Sequence, residues 1–171
     1  MIARVFVAFA MIVLVAEVHA SDLAIGSVAL ALGMDRATVM EKLRARFHIV
    51  TVTGDDNSFF VSEKKPPNVQ VIGGVKFENG QLTWAQRNWG SFSGQASSVE
   101  IGKALFGVME TVTARTGSGA QVGTRSQRIP SAEFDTIEFS FPDRKVTVSV
   151  TDGGSRYGRQ VSIDESISSR R

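Results

Sequence analysis

Ile137-Glu138-Phe139-Ser140-Phe141-Pro142-Asp143-Arg144-Lys145-Val146-Thr147-Val148-Ser149-Val150 alternates apolar and polar residues on both sides of a turn. Successive side chains of a strand point to opposite faces, so this period of two predicts an antiparallel hairpin with one dry and one wet side. Ile137, Phe139 and Phe141 then meet Val146, Val148 and Val150 across the ladder, while Glu138, Ser140, Thr147 and Ser149 take the other face. Burying six such side chains contributes on the order of 10 kcal/mol before entropy is subtracted, at about 1.5 to 3 kcal/mol each. The hairpin is therefore expected to be the centre of the domain's stability.

Working outward, β-branched and aromatic runs punctuated by turn residues predict further strands at 49–53, 58–62, 69–77 and 81–88, and after the midpoint at 121–128, 134–141, 145–151 and 159–163. Asn79-Gly80 is the sharpest turn signal, because both residues tolerate the positive φ of a type I′ hairpin. Strict alternation from that turn sets Phe77 opposite Leu82 and Val75 opposite Trp84. Gly73-Gly74 predicts a bulge or a close backbone approach. Lys64-Lys65-Pro66-Pro67 reads as a stiff connection.

Two helices interrupt the strands. Asp35 can cap the first, Met34 and Val39 have the spacing of a hydrophobic staple, and Val39, Met40, Leu43 and Phe47 line one face between Arg36 and Phe47. Ser97 and Glu100 form a capping box for the second, which continues through Ile101, Ala104, Leu105, Val108, Met109 and Val112 towards Gly117. Gly102 and Gly107 each lower its intrinsic stability by about 1 kcal/mol relative to Ala, so tertiary packing must hold it. The run Ser27 to Leu32 fits a buried strand or a lead into the first helix equally well. The expected fold class is α+β, an antiparallel meander covered by two helices. Residues 33–90 and 95–165 share the order of a helix and four strands, so tandem α-β4 units stand beside a single sheet that recruited two helices. Residues 21–165 make one domain, with 166–171 as a disordered tail.

The first twenty residues hold one cation, Arg4, then an apolar run from Val5 to Ala16, then Glu17-Val18-His19-Ala20. This is the layout of a secretory signal peptide, with Val18 and Ala20 at the −3 and −1 positions of a cut before Ser21. Twelve helical residues span about 18 Å, short of the roughly 30 Å hydrocarbon layer. The mature chain is thus expected to be exported, to the periplasm or beyond, without a membrane span. No cysteine is present, which excludes disulfides, thiolate metal sites and a lipid on an N-terminal Cys. Lys and Arg number 19 against 17 Asp and Glu, too even a balance to predict nucleic acid as a partner. Arg144, Lys145, Arg156, Arg159, Arg170 and Arg171 accumulate towards the C-terminus. They read as a solvated hairpin and tail, or alternatively as a contact for an anionic surface.

The stretch Leu32-Gly33-Met34-Asp35-Arg36-Ala37-Thr38-Val39, with its helix and antiparallel meander, resembles the opening of small exported bacterial domains of the SmpA/OmlA type. The helix-plus-four-strand tandem resembles the β-lactamase inhibitor protein fold. The resemblance implies a domain that binds other proteins with a sheet face and carries no catalysis of its own. The chain departs from the envelope lipoproteins in having no Cys to carry a lipid.

Catalytic material is sparse. After removal of the leader the one histidine is His48, whose place just past the first helix suits a cation at a helix C-terminus. One histidine and no cysteine do not furnish a tetrahedral zinc site. Gly90-Ser91-Phe92-Ser93-Gly94 lacks the central serine of a nucleophile elbow, and Ser62-Glu63-Lys64-Lys65 matches S-x-x-K without its partner motifs. Asp55-Asp56-Asn57 lacks the later Gly and Glu of a calcium loop and reads as a turn. Glu138 with Asp152 or Asp135 offers a carboxylate pair for a hydrolase, the alternative reading. The candidate binding residues are Arg87, Trp89 and Phe92, since Trp and Arg are enriched at interface hot spots. They form either an exposed patch or part of the packing beneath the second helix. No metal or cofactor is expected, and the expected partner is an envelope protein or a glycan.

Overall fold

The computed structural model describes residues 22–63, 70–94, 98–117, 119–130, 132–154 and 158–169. The expected leader, the Lys64–Pro67 connection, the Ser97 cap and three of the C-terminal arginines, Arg156, Arg170 and Arg171, lie outside them. In chain order the elements are β1 (Asp22–Ile25), β2 (Val28–Ala31), α1 (Arg36–Arg44), β3 (His48–Val52), β4 (Asp55–Ser62), β5 (Val71–Glu78), β6 (Gln81–Ser93), α2 (Ser98–Thr116), β7 (Gln121–Ile129), β8 (Ala132–Ser140), β9 (Lys145–Asp152) and β10 (Arg159–Ser168). Strands β3 to β10 form one antiparallel sheet in the order β3-β4-β5-β6-β10-β9-β8-β7, and β1 pairs only with β2. The fold is mostly antiparallel sheet with two helices.

The ambiguous run 27–32 resolves as strand β2. Its partner β1 went unread because four residues, Asp22 to Ile25, are too short for a periodicity to show. Strand β10 continues through Ser168, beyond the predicted 159–163 and into the segment expected to be tail, because Ile167 is fully buried.

Helix α1 starts as its cap predicts: the Asp35 carboxylate accepts from the Thr38 backbone N–H at 3.0 Å. It stops three residues short of Phe47, where the Phe47 N–H closes on the Leu43 carbonyl at 2.8 Å. The segment before it docks on the β5–β6 turn. Gly33 N donates to Leu82 O, Leu82 N to Met34 O, and Arg36 N to Gly80 O, at 2.8 to 2.9 Å. Asn79 and Gly80 both take positive φ, as a type I′ turn requires.

Two buried clusters lie on one side of the large sheet. The larger joins Leu23, Ile25, Val28 and Leu30 of the β1–β2 hairpin to Val39, Met40 and Leu43 of α1 and to Phe59, Val61, Val75, Phe77, Leu82, Ala85 and Ile167. The smaller joins Val108 and Val112 of α2 to Phe141, Val146, Val148 and Ile163. The centre of burial is therefore in the first half, around a hairpin that adds four buried apolar side chains, and not in the β8–β9 hairpin. The register of that hairpin is as expected, with Ile137 opposite Val148 and Phe139 opposite Val146. Its dryness is not: Val146, Val148 and Phe141 are buried, Phe139 and Val150 half-buried, and Ile137 is 42% exposed. Eight strands span roughly 34 Å at about 4.8 Å per step. A helix about 10 to 12 Å wide covers less than half of that, and the edge strand β7 is exposed along its whole length.

Gly73-Gly74 fulfils both expectations. The β4–β5 register shifts between Val61 and Ser62, leaving Ile72 as the extra residue beside Gly73. A Cβ on Gly73 would stand 2.4 Å from the Gln86 carbonyl and 3.0 Å from Ile25 Cδ1, so backbone closes one side and the hairpin the other. Gly73→Ala is expected to cost about 1 to 3 kcal/mol by overpacking, read as a lower urea midpoint. A midpoint unchanged within error would show that the β1–β2 hairpin yields there.

Candidate functional site

Strand β6 carries both Trp residues and departs twice from regular pairing. With Phe77 opposite Leu82 but Lys76 opposite Trp84, Thr83 is left over; with Ile163 opposite Gly90 but Asp164 opposite Asn88, Trp89 is left over. A one-residue bulge moves every following side chain to the other face until a second restores the phase. The expected Val75–Trp84 pair is accordingly replaced by Val75–Ala85, and Trp84 sits on the face away from the buried clusters. Between the bulges Ala85 and Arg87 point inward, and after the second Phe92 does so too, opposite Val161.

Arg87, Trp89 and Phe92 are thereby brought to one side, where Arg87 Nη2 and Trp89 Nε1 are used internally. Glu165, fully buried on β10, is their focus. Its Oε2 accepts from Arg87 Nη2 at 2.6 Å and from Trp89 Nε1 at 2.9 Å, and its Oε1 accepts from Arg144 Nη1 at 2.8 Å. The Arg87 guanidinium carbon lies 3.8 Å from the Trp89 ring centroid. Arg144 also donates to Asp143 Oδ2 from Nη2 at 2.6 Å and from Nε at 3.1 Å. Burial pushes the Glu165 carboxyl up, but the hydrogen bonds from Arg144, Trp89 and Arg87 outweigh it and hold its pKa below the ordinary glutamate value. Arg144, counted from sequence among the surface cations, is almost fully buried because this carboxylate claims it. Phe92 packs beside Val108 and Val112 of α2 in the smaller cluster. This constellation joins β6, β10 and the turn before β9 where the two halves of the sheet meet, and its geometry is that of an internal ion-pair core in which Arg87 Nε and Asp143 Oδ1 alone stay buried without a partner among the described residues.

The opposite, open face holds a different constellation. Phe60 on β4 is 46% exposed there, opposite Gly74. Across the next strands Lys76 and Trp84 pair on the same face. A Cβ on Gly74 would meet the Trp84 ring at 3.1 Å, so the glycine makes room for the indole to lie over the sheet. Val52, Ser58, Phe60, Gly74, Lys76 and Trp84, closed at one end by Thr83, Ser168 and Ser169, line a groove of about 470 Å³. Sequence reading missed it because perfect alternation assigned Trp84 to the core. Thr83, a residue at ease in a strand, gives no sign that it is the bulge.

The other sequence candidates scatter. Glu138 accepts from Lys145 Nζ at 2.9 Å and from Ser140 Oγ at 3.0 Å. Those contacts, led by the lysine, hold its pKa below the ordinary value. Asp135 and Asp152 lie on the other face of the sheet from Glu138, level with Val150 and Glu133, so the carboxylates offered as its partners do not flank one cleft with it. His48 is exposed at the start of β3, opposite Ser62. Asp55 is turned onto its own loop, accepting from Ser58 Oγ at 2.6 Å and from Asn57 N at 3.0 Å, and Arg36 binds Asn57 Oδ1 and the Asp56 carbonyl, each at 3.1 Å. Among the described residues no group of three or more His, Asp or Glu side chains is placed to hold a metal ion, and no helix is long and apolar enough to cross a membrane. Compared with protein-family models, curated proteins and solved structures, the chain matches none.

Proposed function

We propose that this protein is an exported, non-catalytic binding module of the bacterial envelope that holds a partner protein against the open face of its sheet. The supporting observation is the groove itself: an exposed Phe60 and a half-buried Trp84 flank a glycine floor on a face with no need of them for its own core. Large exposed aromatics at a depression are the usual anchors of interfaces. In this reading the two helices and the N-terminal hairpin form the layer behind the sheet, the two α-β4 runs are one unit used twice, and β6 and β10, the last strands of each run, join at the centre. That arrangement agrees with the resemblance to exported domains that bind proteins through a sheet. Arg87, Trp89 and Phe92 support the scaffold from within.

The test is capture of partners from an envelope extract by the mature protein and by Trp84→Ala, with circular dichroism to verify folding. A specific band bound by the parent and reduced at least tenfold by Trp84→Ala is expected. Capture indifferent to Trp84 would remove the groove from the function.

A further inference from the structure

The groove has a chemistry specific enough to name what fits it. Its walls are apolar, formed by Val52, Phe60 and Trp84. Its hydroxyls are largely committed within the chain: Ser58 Oγ donates to Asp55 Oδ2 at 2.6 Å, Thr83 Oγ1 to the Lys76 carbonyl at 3.4 Å, and Ser169 Oγ to the Thr83 carbonyl at 3.3 Å. A sugar must replace the hydrogen bonds that its own hydroxyls make to water, and a site whose hydroxyls already have partners replaces few of them. An aromatic or aliphatic side chain needs only the walls, and a volume of about 470 Å³ accommodates one.

Charge adds a second requirement. Lys76 lies in the groove and belongs to none of the ion pairs among the described residues. Of the nearby acids, Asp55 feels the Lys76 charge but spends its hydrogen bonds on Ser58 and Asn57, and Glu78, which also lines the groove, is already engaged. An ammonium beside an apolar depression favours a ligand that brings a carboxylate next to its anchor.

Building on the protein-binding role above, we infer that the groove takes a large apolar side chain of a partner segment whose neighbouring residue is Asp or Glu. Selection from a phage-displayed library of random twelve-residue peptides tests this, with the mature chain, Phe60→Ser and Lys76→Glu as immobilised targets. Both positions are at the surface, and thermal melts verify that the variants fold. The parent is expected to enrich peptides pairing Phe, Trp or Leu with an adjacent Asp or Glu at least tenfold over the input library. Phe60→Ser loses that enrichment, and Lys76→Glu shifts the flanking preference to Lys or Arg. Cellohexaose and chitohexaose do not compete. Absence of enrichment, enrichment indifferent to both substitutions, or displacement by either oligosaccharide overturns the inference. If envelope capture still depends on Trp84 while the selected peptides show no acidic preference, only the ligand assignment falls. If capture is also indifferent to Trp84, the binding role falls with it.

Discussion

Glu165→Gln is expected to lower the unfolding free energy by about 3 to 5 kcal/mol, the cost of leaving buried charges without their counter-charge. The carboxylate is fully buried and bonded to two guanidinium groups and an indole N–H. An amide keeps the shape but removes the charge, and its NH₂ group has no acceptor among those three donors. Arg144, almost fully buried and held on its other side by Asp143, is left facing an uncharged amide. Replacing Glu165, Arg87 and Arg144 together by apolar residues of similar volume should recover most of the loss, because a whole ion-pair core exchanged for packing is often neutral or better. Urea unfolding of the three proteins measures both effects. A Glu165→Gln variant within about 1 kcal/mol of the parent would contradict the reading of this cluster as the join between the two halves.

The same carboxylate predicts an acid limb. Its folded pKa lies below the ordinary value, burial being outweighed by the bonds from Arg144, Trp89 and Arg87, so below about pH 4.3 the unfolded chain binds the proton more readily. The stabilisation is complete above that unfolded value and is lost as the pH falls through the lower folded one. Between pH 7 and pH 3 the parent should lose stability more steeply than Glu165→Gln; parallel curves would assign the acid limb to other carboxylates.

Ile25→Ala is the second large effect, about 2 to 5 kcal/mol for a fully buried aliphatic residue packed on all sides. Ile25 fills the space where a Cβ on Gly73 would stand and lies inside the larger cluster, so the space left on truncation has little means of closing. Ile137→Ala, in the hairpin with the cleanest pattern of the chain, should cost below about 1 kcal/mol because the side chain is already 42% exposed. The contrast locates the stability in the layer behind β4, β5 and β6. Equal losses at the two positions would place it back in β8 and β9.

The ladder registers and the helix caps could be read because they depend on neighbours a few residues away. The Asn79-Gly80 turn, the Asp35 cap and the Ile137–Val148 and Phe139–Val146 pairs all follow from local rules. The candidate sites were harder. Arg87, Trp89 and Phe92 were picked out by residue type, yet type does not say whether a guanidinium meets water or a buried carboxylate 78 residues away in the chain.

What the amino-acid order determined by itself is the alternation of strands and two amphipathic helices, because side-chain periodicity and turn chemistry are local. What only the tertiary structure decided is which face each aromatic occupies. Two bulges in β6, set by its pairing with β5 and β10, turn Trp84 outward into a groove and bring Trp89 and Phe92 inward. A bulge has no local signature when the extra residue is at ease in a strand, so its position emerges only when both partner strands are in place.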